Sequence, residues 1–231
     1  MRKPIIGIPA KQETQRENDL FHRLDLVDEL RIQVLKQGGI AIMLTPSEIT
    51  LDFNQSDLGD DTILSPQQIA DLKQQVDLCD GIILQGGDFS CEYEVEIARY
   101  ALHKNIPILG ICAGFNNILR ALGSNIYEDT TLSHASNSLT YRHPVAIKEG
   151  TLLHEIIENT DYQVNSLHTM IADEKDVAPY ACINAYSPDG LVECFNVPDK
   201  KFALAVKWHP ELMGEDRGAQ RIFEYLLNAC R

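Results

Sequence analysis

Cysteine, histidine and glutamate occur in this 231-residue chain in short stretches that together could perform acyl transfer. In IPILGICAG, residues 106–114, Cys112 is flanked by Gly110 and Gly114 at the end of an apolar run. G-x-C-x-G at a strand end suits a nucleophile elbow, a tight turn that holds a reactive side chain clear of a sheet. A helix starting there offers free N–H groups and a positive dipole end, and both favour thiolate over thiol. The ordinary alternative is a small, inert thiol at a buried strand end.

A cysteine nucleophile needs a base, and the chain has seven histidines: His22, His103, His134, His143, His154, His168 and His209. In AVKWHPEL, His209 and Glu211 follow an apolar strand at i and i+2. If that segment stays extended, both side chains point to one side and the carboxylate orients the imidazole. Pro210 cannot donate a ladder hydrogen bond, which suits a strand ending there. Without the cysteine, H-P-E would read as an exposed polar strand end. Gly86-Gly87, after a third apolar run, can turn backbone N–H groups toward a ligand as an oxyanion hole requires, with the Ala113 amide as a second donor. A plain βα turn is the commoner use of such a pair, so the three signals gain force jointly.

These residues need elements to position them. Ile106, Ile108, Leu109 and Ile111 read as a short buried strand, and Phe115, Ile118, Leu119 and Leu122 as the apolar stripe of the helix after it. Upstream, residues 4–9 form a strand, Leu24, Val27, Leu30, Val34 and Leu35 mark a helix stopped by Gly38-Gly39, and residues 40–44 form a second strand. Residues 47–61 are polar and acidic and read as a loop. Ser65-Pro66-Gln67-Gln68 is a capping box opening a helix with Ile69, Leu72 and Val76. A strand at 81–88 precedes a helix carrying Tyr93, Ile97 and Ala101. This alternation predicts an α/β fold with a mainly parallel sheet and helices on both faces. In the second half, strands at 143–147, 181–187, 191–197 and 202–208, two of them joined by Pro188-Asp189-Gly190, predict a smaller antiparallel portion. Ala219, Ile222, Phe223, Leu226 and Leu227 give a closing helix. No internal repeat or linker appears, so residues 1–231 are expected to be one domain.

Composition narrows the partners. A formal net charge of −14 with no basic run argues against nucleic acid and anionic membranes. No apolar stretch approaches a signal peptide or a membrane span, so a cytoplasmic protein is expected. The six cysteines, Cys79, Cys91, Cys112, Cys182, Cys194 and Cys230, lack CxxC or Cys/His ligand spacing, which argues against zinc and a disulfide scaffold. Most of them read as inert core thiols.

The stretches PIIGIPA, QGGD, IPILGICAG, GSNIYED, YQVNSLH, SPDGLVE and FALAVKWHPE, in this order, resemble the class I glutamine amidotransferase-like superfamily. Within it the chain is most similar to the gamma-glutamyl-gamma-aminobutyrate hydrolase family. The resemblance implies a flavodoxin-like sandwich with Cys112 as nucleophile, His209 as base then acid, Glu211 orienting His209, and an oxyanion hole at Gly87 and Ala113. It further implies a small-molecule γ-glutamyl amide as substrate, contacts from Gly86, Asn116, Ser166 and His168, no metal or organic cofactor, and chains that can pair as homodimers.

The sequence departs from the family pattern at four places. Ala113 and Asn116 stand where arginine and glutamine are usual, Thr169 and Met170 where histidine and glutamine are common, and the loop after Gly87 is short. Loss of a guanidinium removes a bidentate carboxylate partner, so these departures bear on the substrate. His168 is read either as a substrate-side residue or as a structural surface histidine. Two further readings stay open: a glutaminase component handing ammonia to a separate synthetase, and a catalytically silent binding protein on the same fold.

Overall fold

The computed structural model describes residues 2–12, 21, 23–47, 63–87, 92–130, 134–136, 138 and 140–231. His22, Cys91, nearly all of the acidic loop at 47–61 and the stretch after Gly87 lie outside the described residues. In chain order come β1 (Ile5–Pro9), β2 (Lys11–Gln12), β3 (Leu24–Asp25), α1 (Asp28–Lys36), β4 (Ile40–Leu44), α2 (Pro66–Val76), β5 (Gly81–Leu84), α3 (Glu92–Lys104), β6 (Ile108–Ile111), α4 (Ala113–Ala121) and β7 (Tyr127–Glu128). The second half adds β8 (His143–Ile147), α5 (Leu152–Ile157), β9 (Asp161–Val164), β10 (Met170–Ile171), α6 (Glu174–Val177), β11 (Cys182–Tyr186), β12 (Val192–Asn196), β13 (Ala203–Val206), a 3-10 turn (Pro210–Leu212) and α7 (Arg217–Ala229).

Nine strands form one sheet in the order β4-β1-β5-β6-β13-β12-β11-β8-β9. The first five pair in parallel and the rest antiparallel, as the change of pattern halfway along the chain predicts. β5 and β6 are buried along their whole length, as strands covered on both faces must be. One apolar layer packs Leu72, Val76, Ile97, Phe115 and Phe195 beneath α2, α3 and α4. The opposite layer packs Leu30, Val34, Trp208, Ile222 and Phe223 beneath α1 and α7. The architecture is therefore a three-layer α/β sandwich.

Local chemistry explains most of the boundaries. Ser65 caps α2 by accepting from the Gln68 amide at 3.2 Å, and the Gln68 side chain accepts from the Ser65 amide, which completes the expected capping box. The Asp216 carboxylate caps α7 at the Ala219 amide, 2.8 Å away. One expected element is shorter than its periodicity suggests. Leu24 and Asp25 are not helical but pair with Lys11 and Gln12, and α1 begins only at Asp28. The cause is Gln85, buried at the end of β5, whose amide donates to the carbonyls of Pro9 at 2.7 Å and Asp25 at 3.0 Å and accepts from Val27 N–H at 2.9 Å. Those bonds hold residues 25–27 extended against β1, so tertiary contacts override the helical spacing.

Candidate active site

The parallel strands β5, β6 and β13 end level with one another, and that register assembles the site. Leu84 stands opposite Gly110, and Ile111 opposite Val206. The Cys112 amide continues the ladder by donating to Val206 O at 2.9 Å. Cys112, Lys207 to His209, and Gly86-Gly87 thus leave the same sheet edge, the carboxyl end of the parallel strands, where open α/β sheets bind ligands.

Cys112 is the N-cap of α4, with φ 52° and ψ −102°. A side chain rarely tolerates this left-handed backbone, which turns the chain sharply enough to aim the thiol off the strand end, as the elbow reading requires. Close glycine packing permits the turn: a Cβ on Gly114 would lie 2.2 Å from the Leu84 carbonyl oxygen.

His209 does not continue the strand. It has φ −107° and ψ 87°, and Pro210 begins a 3-10 turn containing Glu211, so the extended i, i+2 geometry is corrected. The tighter turn still brings His209 Nδ1 to 2.7 Å from Glu211 Oε1. Asn165 fixes the turn by accepting from His209 N–H at 2.7 Å and donating to its carbonyl at 2.8 Å. With Nδ1 donating to the carboxylate, Nε2 is free to face a proton donor or acceptor.

Each group bears on the charge of the other, His209 on the Cys112 thiol and Cys112 on the imidazole. Burial alone would raise the Cys112 pKa, but the charge and hydrogen bond of His209, with the charge of Lys207, bring it below the ordinary thiol range. Burial likewise opposes charge on His209, yet Cys112 and Glu211 lift its pKa well above the usual histidine value. Both shifts favour the thiolate–imidazolium form of the pair, the form in which a cysteine is nucleophilic. Among the other described cysteines, burial pushes Cys79 up to about 11, Cys230 up to about 12 and Cys194 upward. Cys182, exposed on β11, stands outside the core-thiol majority.

Gly86 and Gly87 differ in use. A Cβ on Gly86 would sit 2.4 Å from His209 Cε1, so this residue makes room for the imidazole. Gly87 has φ +148° and lies beneath the stem of Lys11. Lys11 Nζ is 2.6 Å from Glu94 Oε2, and Asn117 donates to the same oxygen. Burial pushes the Glu94 carboxyl up against the pull of Lys11.

The other expected substrate residues are engaged within the protein. Asn116 is buried and its Oδ1 accepts from Lys207 Nζ at 2.8 Å. Lys207 is 1% exposed, its ammonium stands 4.9 Å from the centre of the Phe115 ring, and burial pushes its pKa down to about 8. The Ser166 hydroxyl is buried and donates to the His134 carbonyl at 2.7 Å. His168 is 4% exposed, which removes the surface alternative, and burial holds its imidazole below the usual range. Its Nε2 lies 3.4 Å from Glu193 Oε1, and His134 Nδ1 lies 3.5 Å from the same atom. His143 completes this buried group, its ring 5.3 Å from that of His134.

The model of the Peptidase C26 family matches residues 89–211. The chain belongs to that family. Gamma-glutamyl-gamma-aminobutyrate hydrolase PuuD of Escherichia coli (strain K12) is 35% identical over 149 residues, 58% of this chain and 58% of its own length. The chain thus spans well under two thirds of that relative. A putative glutamine amidotransferase of Mycobacterium tuberculosis, Rv2859c, is 34% identical over 145 residues, 60% of this chain and 45% of its own. Among solved structures, the glutaminase domain of Trypanosoma brucei CTPS with bound acivicin superposes with a TM-score of 0.68 at 17% identity, over 99% of this chain and 94% of that one. A putative GMP synthase protein from Thermoplasma acidophilum gives 0.63 at 15% identity, over 100% and 96%. Those two likenesses concern the fold.

Within the C26 segment lie Cys112, His209 and Glu211, and also the buried polar residues that sequence reasoning passed over, Lys207 and Glu193. A signal for both was present. Each is a single charged residue inside an otherwise apolar strand run, ALAVKW and LVECF, where burial of a charge demands a partner. The partners come from distant segments, so spacing could not name them.

Proposed function

We propose that this C26 chain is a cysteine amidohydrolase acting on a small γ-glutamyl amide through a thioester. The observation that carries the reading is the join of Cys112, His209 and Glu211 at one sheet edge, with the thiol below and the imidazole above their ordinary pKa ranges. The Cys112 thiolate attacks the γ-carbonyl, forming an S–C bond as the carbonyl π electrons move onto oxygen. The amides of Gly87 and Ala113 receive that oxyanion. Collapse breaks the C–N bond, and His209 gives its proton to the departing amine. His209 then takes a proton from water, hydroxide adds to the thioester, and the acid leaves as Cys112 regains its charge balance with His209. Glu211 keeps Nδ1 protonated and oriented throughout.

The γ-glutamyl preference rests on the named relatives and on the resemblance. Ala113 offers no guanidinium, and Asn116 is tied to Lys207, so the carboxylate end of the substrate meets a different set of groups from the family's usual ones. The nine-stranded sheet drawn from both halves of the chain supports one working domain over residues 1–231. A reactive free thiol suits the reducing cytoplasm. Among the described residues no helix is long and apolar enough to cross a membrane.

The test is amine release from a panel of γ-glutamyl amines and glutamine by wild type and Cys112→Ala, with intact-mass analysis after a diazo-ketone glutamine analogue. The reading requires turnover of at least one amide, one label per chain, and loss of both in Cys112→Ala. Equal labelling of the variant, or no turnover of any panel member, refutes it.

A further inference from the structure

The buried group behind Lys207 has a chemistry that the hydrolytic reading does not use. Glu193 on β12 is 0% exposed, and no well-aligned hydrogen bond reaches either carboxylate oxygen, although His168 stands 3.4 Å away and holds the carboxyl below its usual range against burial. Three imidazoles surround it, and each has one nitrogen committed on its outer side. His134 Nε2–H donates to Asp189 Oδ2 at 3.0 Å, His143 Nδ1–H to the Pro144 carbonyl at 3.0 Å, and His168 Nδ1–H to the Met170 carbonyl at 3.1 Å. In the neutral rings those bonds fix the tautomers, so the remaining nitrogens carry lone pairs. His134 Nδ1 and His168 Nε2 lie 3.5 and 3.4 Å from Glu193 Oε1, and His143 Nε2 is buried without a partner. The Ser166 hydroxyl, 3.5 Å from His134 Nδ1, spends its proton on the His134 carbonyl at 2.7 Å.

With the rings neutral, acceptors converge on one buried point where the imidazoles themselves are the nearest groups to Glu193, an arrangement that costs energy unless a proton or a metal cation sits between. One ligand atom from each of His134, His143 and Glu193 lies within 4.8 Å of the others. Tetrahedral coordination at ~2.0–2.1 Å places ligand atoms roughly 3.3 Å apart, so side-chain rotations of about an ångström close the set. The outer bonds to a carboxylate and two backbone carbonyls are those that orient imidazole ligands in metal sites.

We propose that His134, His143 and Glu193 bind one divalent transition-metal ion of the zinc type. Imidazole-rich, buried donors select zinc, cobalt or nickel over magnesium and calcium, which prefer all-oxygen shells. The single ligand carboxylate and the outer Asp189 together match a dication's charge. The ion ties the segment around His134 to β8 and β12, behind the strand end that carries Lys207 and His209. It takes no part in the thioester chemistry proposed above and stands independently of it.

The test uses the full chain, stripped with chelator and dialysed, then titrated with zinc followed by native mass spectrometry and with cobalt followed by visible absorption. Because Cys112 is itself a soft ligand, Cys112→Ser is titrated in parallel. The proposal expects one equivalent bound at micromolar concentration in wild type and in Cys112→Ser. It also expects cobalt bands without a sulfur charge-transfer band, a raised Tm with zinc and none with magnesium, and at least tenfold weaker binding in His143→Gln and Glu193→Gln. No uptake by wild type, uptake lost in Cys112→Ser, or a cobalt–sulfur band overturns it. Those three readouts need neither His143→Gln nor Glu193→Gln to fold, and unchanged affinity in both folded variants overturns it as well.

Discussion

Replacing Gly86 by alanine tests whether His209 is held where acyl transfer needs it. Gly86 is not among the glycines with positive φ, so alanine fits its backbone and the added methyl is the whole perturbation. That methyl would lie 2.4 Å from His209 Cε1. Carbon atoms approach comfortably to ~3.5 Å, so the ring must retreat by about 1 Å. A displacement of that size at a reacting centre costs roughly 10²-fold in rate, or about 2.7 kcal/mol of barrier. Overpacking costs the fold about 1–3 kcal/mol, which leaves the variant folded at room temperature. Amine release by Gly86→Ala should fall by about that factor. Alkylation of Cys112 by iodoacetamide at pH 6, followed by intact mass, should slow because the thiolate loses its imidazolium partner. A folded variant within about threefold of wild type in both assays would show that the imidazole is not seated against Gly86, and the geometric account would fail.

Glu211→Gln removes the carboxylate at His209 Nδ1 and should lower amine release by roughly 10²- to 10⁴-fold with KM little changed; a loss under tenfold would refute the orienting role. Lys207 has its folded pKa at about 8 against an ordinary value of 10.5, so between those values the unfolded chain binds more protons and stability rises with pH. Urea unfolding of wild type should therefore gain about 3 kcal/mol relative to Lys207→Met as pH climbs through that window, and parallel pH curves would refute the burial of the ammonium. Lys11→Met leaves the 0% exposed Glu94 carboxylate without its nearest cation and should cost about 3 kcal/mol in urea unfolding; a loss under about 1 kcal/mol would mean the pair behaves as a surface bridge.

Much of the frame of this molecule was legible in its sequence because its strands and helices announce themselves locally. Apolar runs at 81–84 and 108–111 need no partner to be read as buried strands, and Ser65 to Gln68 encodes its cap within four residues. The candidate triad of Cys112, His209 and Glu211 was nameable for a similar reason: two of them sit in one tripeptide, and the third sits between glycines. Features made by long-range contacts were not. Leu24 and Asp25 look helical until Leu24 pairs with Gln12 and Gln85, 60 positions from Asp25, bonds the Asp25 carbonyl. The His209 turn looked extended because nothing local shows that Asn165 grips it from 44 positions away. Ser166 and His168 were sensed as functional, yet their neighbours Glu193, His134 and His143 come from separate strands and loops, and only folding brings them to one point.

Asn165 has a consequence for how samples keep. Asparagine followed by serine is prone to lose its side-chain nitrogen through a succinimide, and the aspartate or isoaspartate formed cannot donate to the His209 carbonyl. In the native molecule the amide is 1% exposed and engaged at both ends, so it is shielded from that reaction. Ageing at this position can proceed only in molecules whose turn has opened, so a slow gain of about 1 Da at Asn165 during storage would count those openings and, with them, the molecules in which His209 has lost its hold.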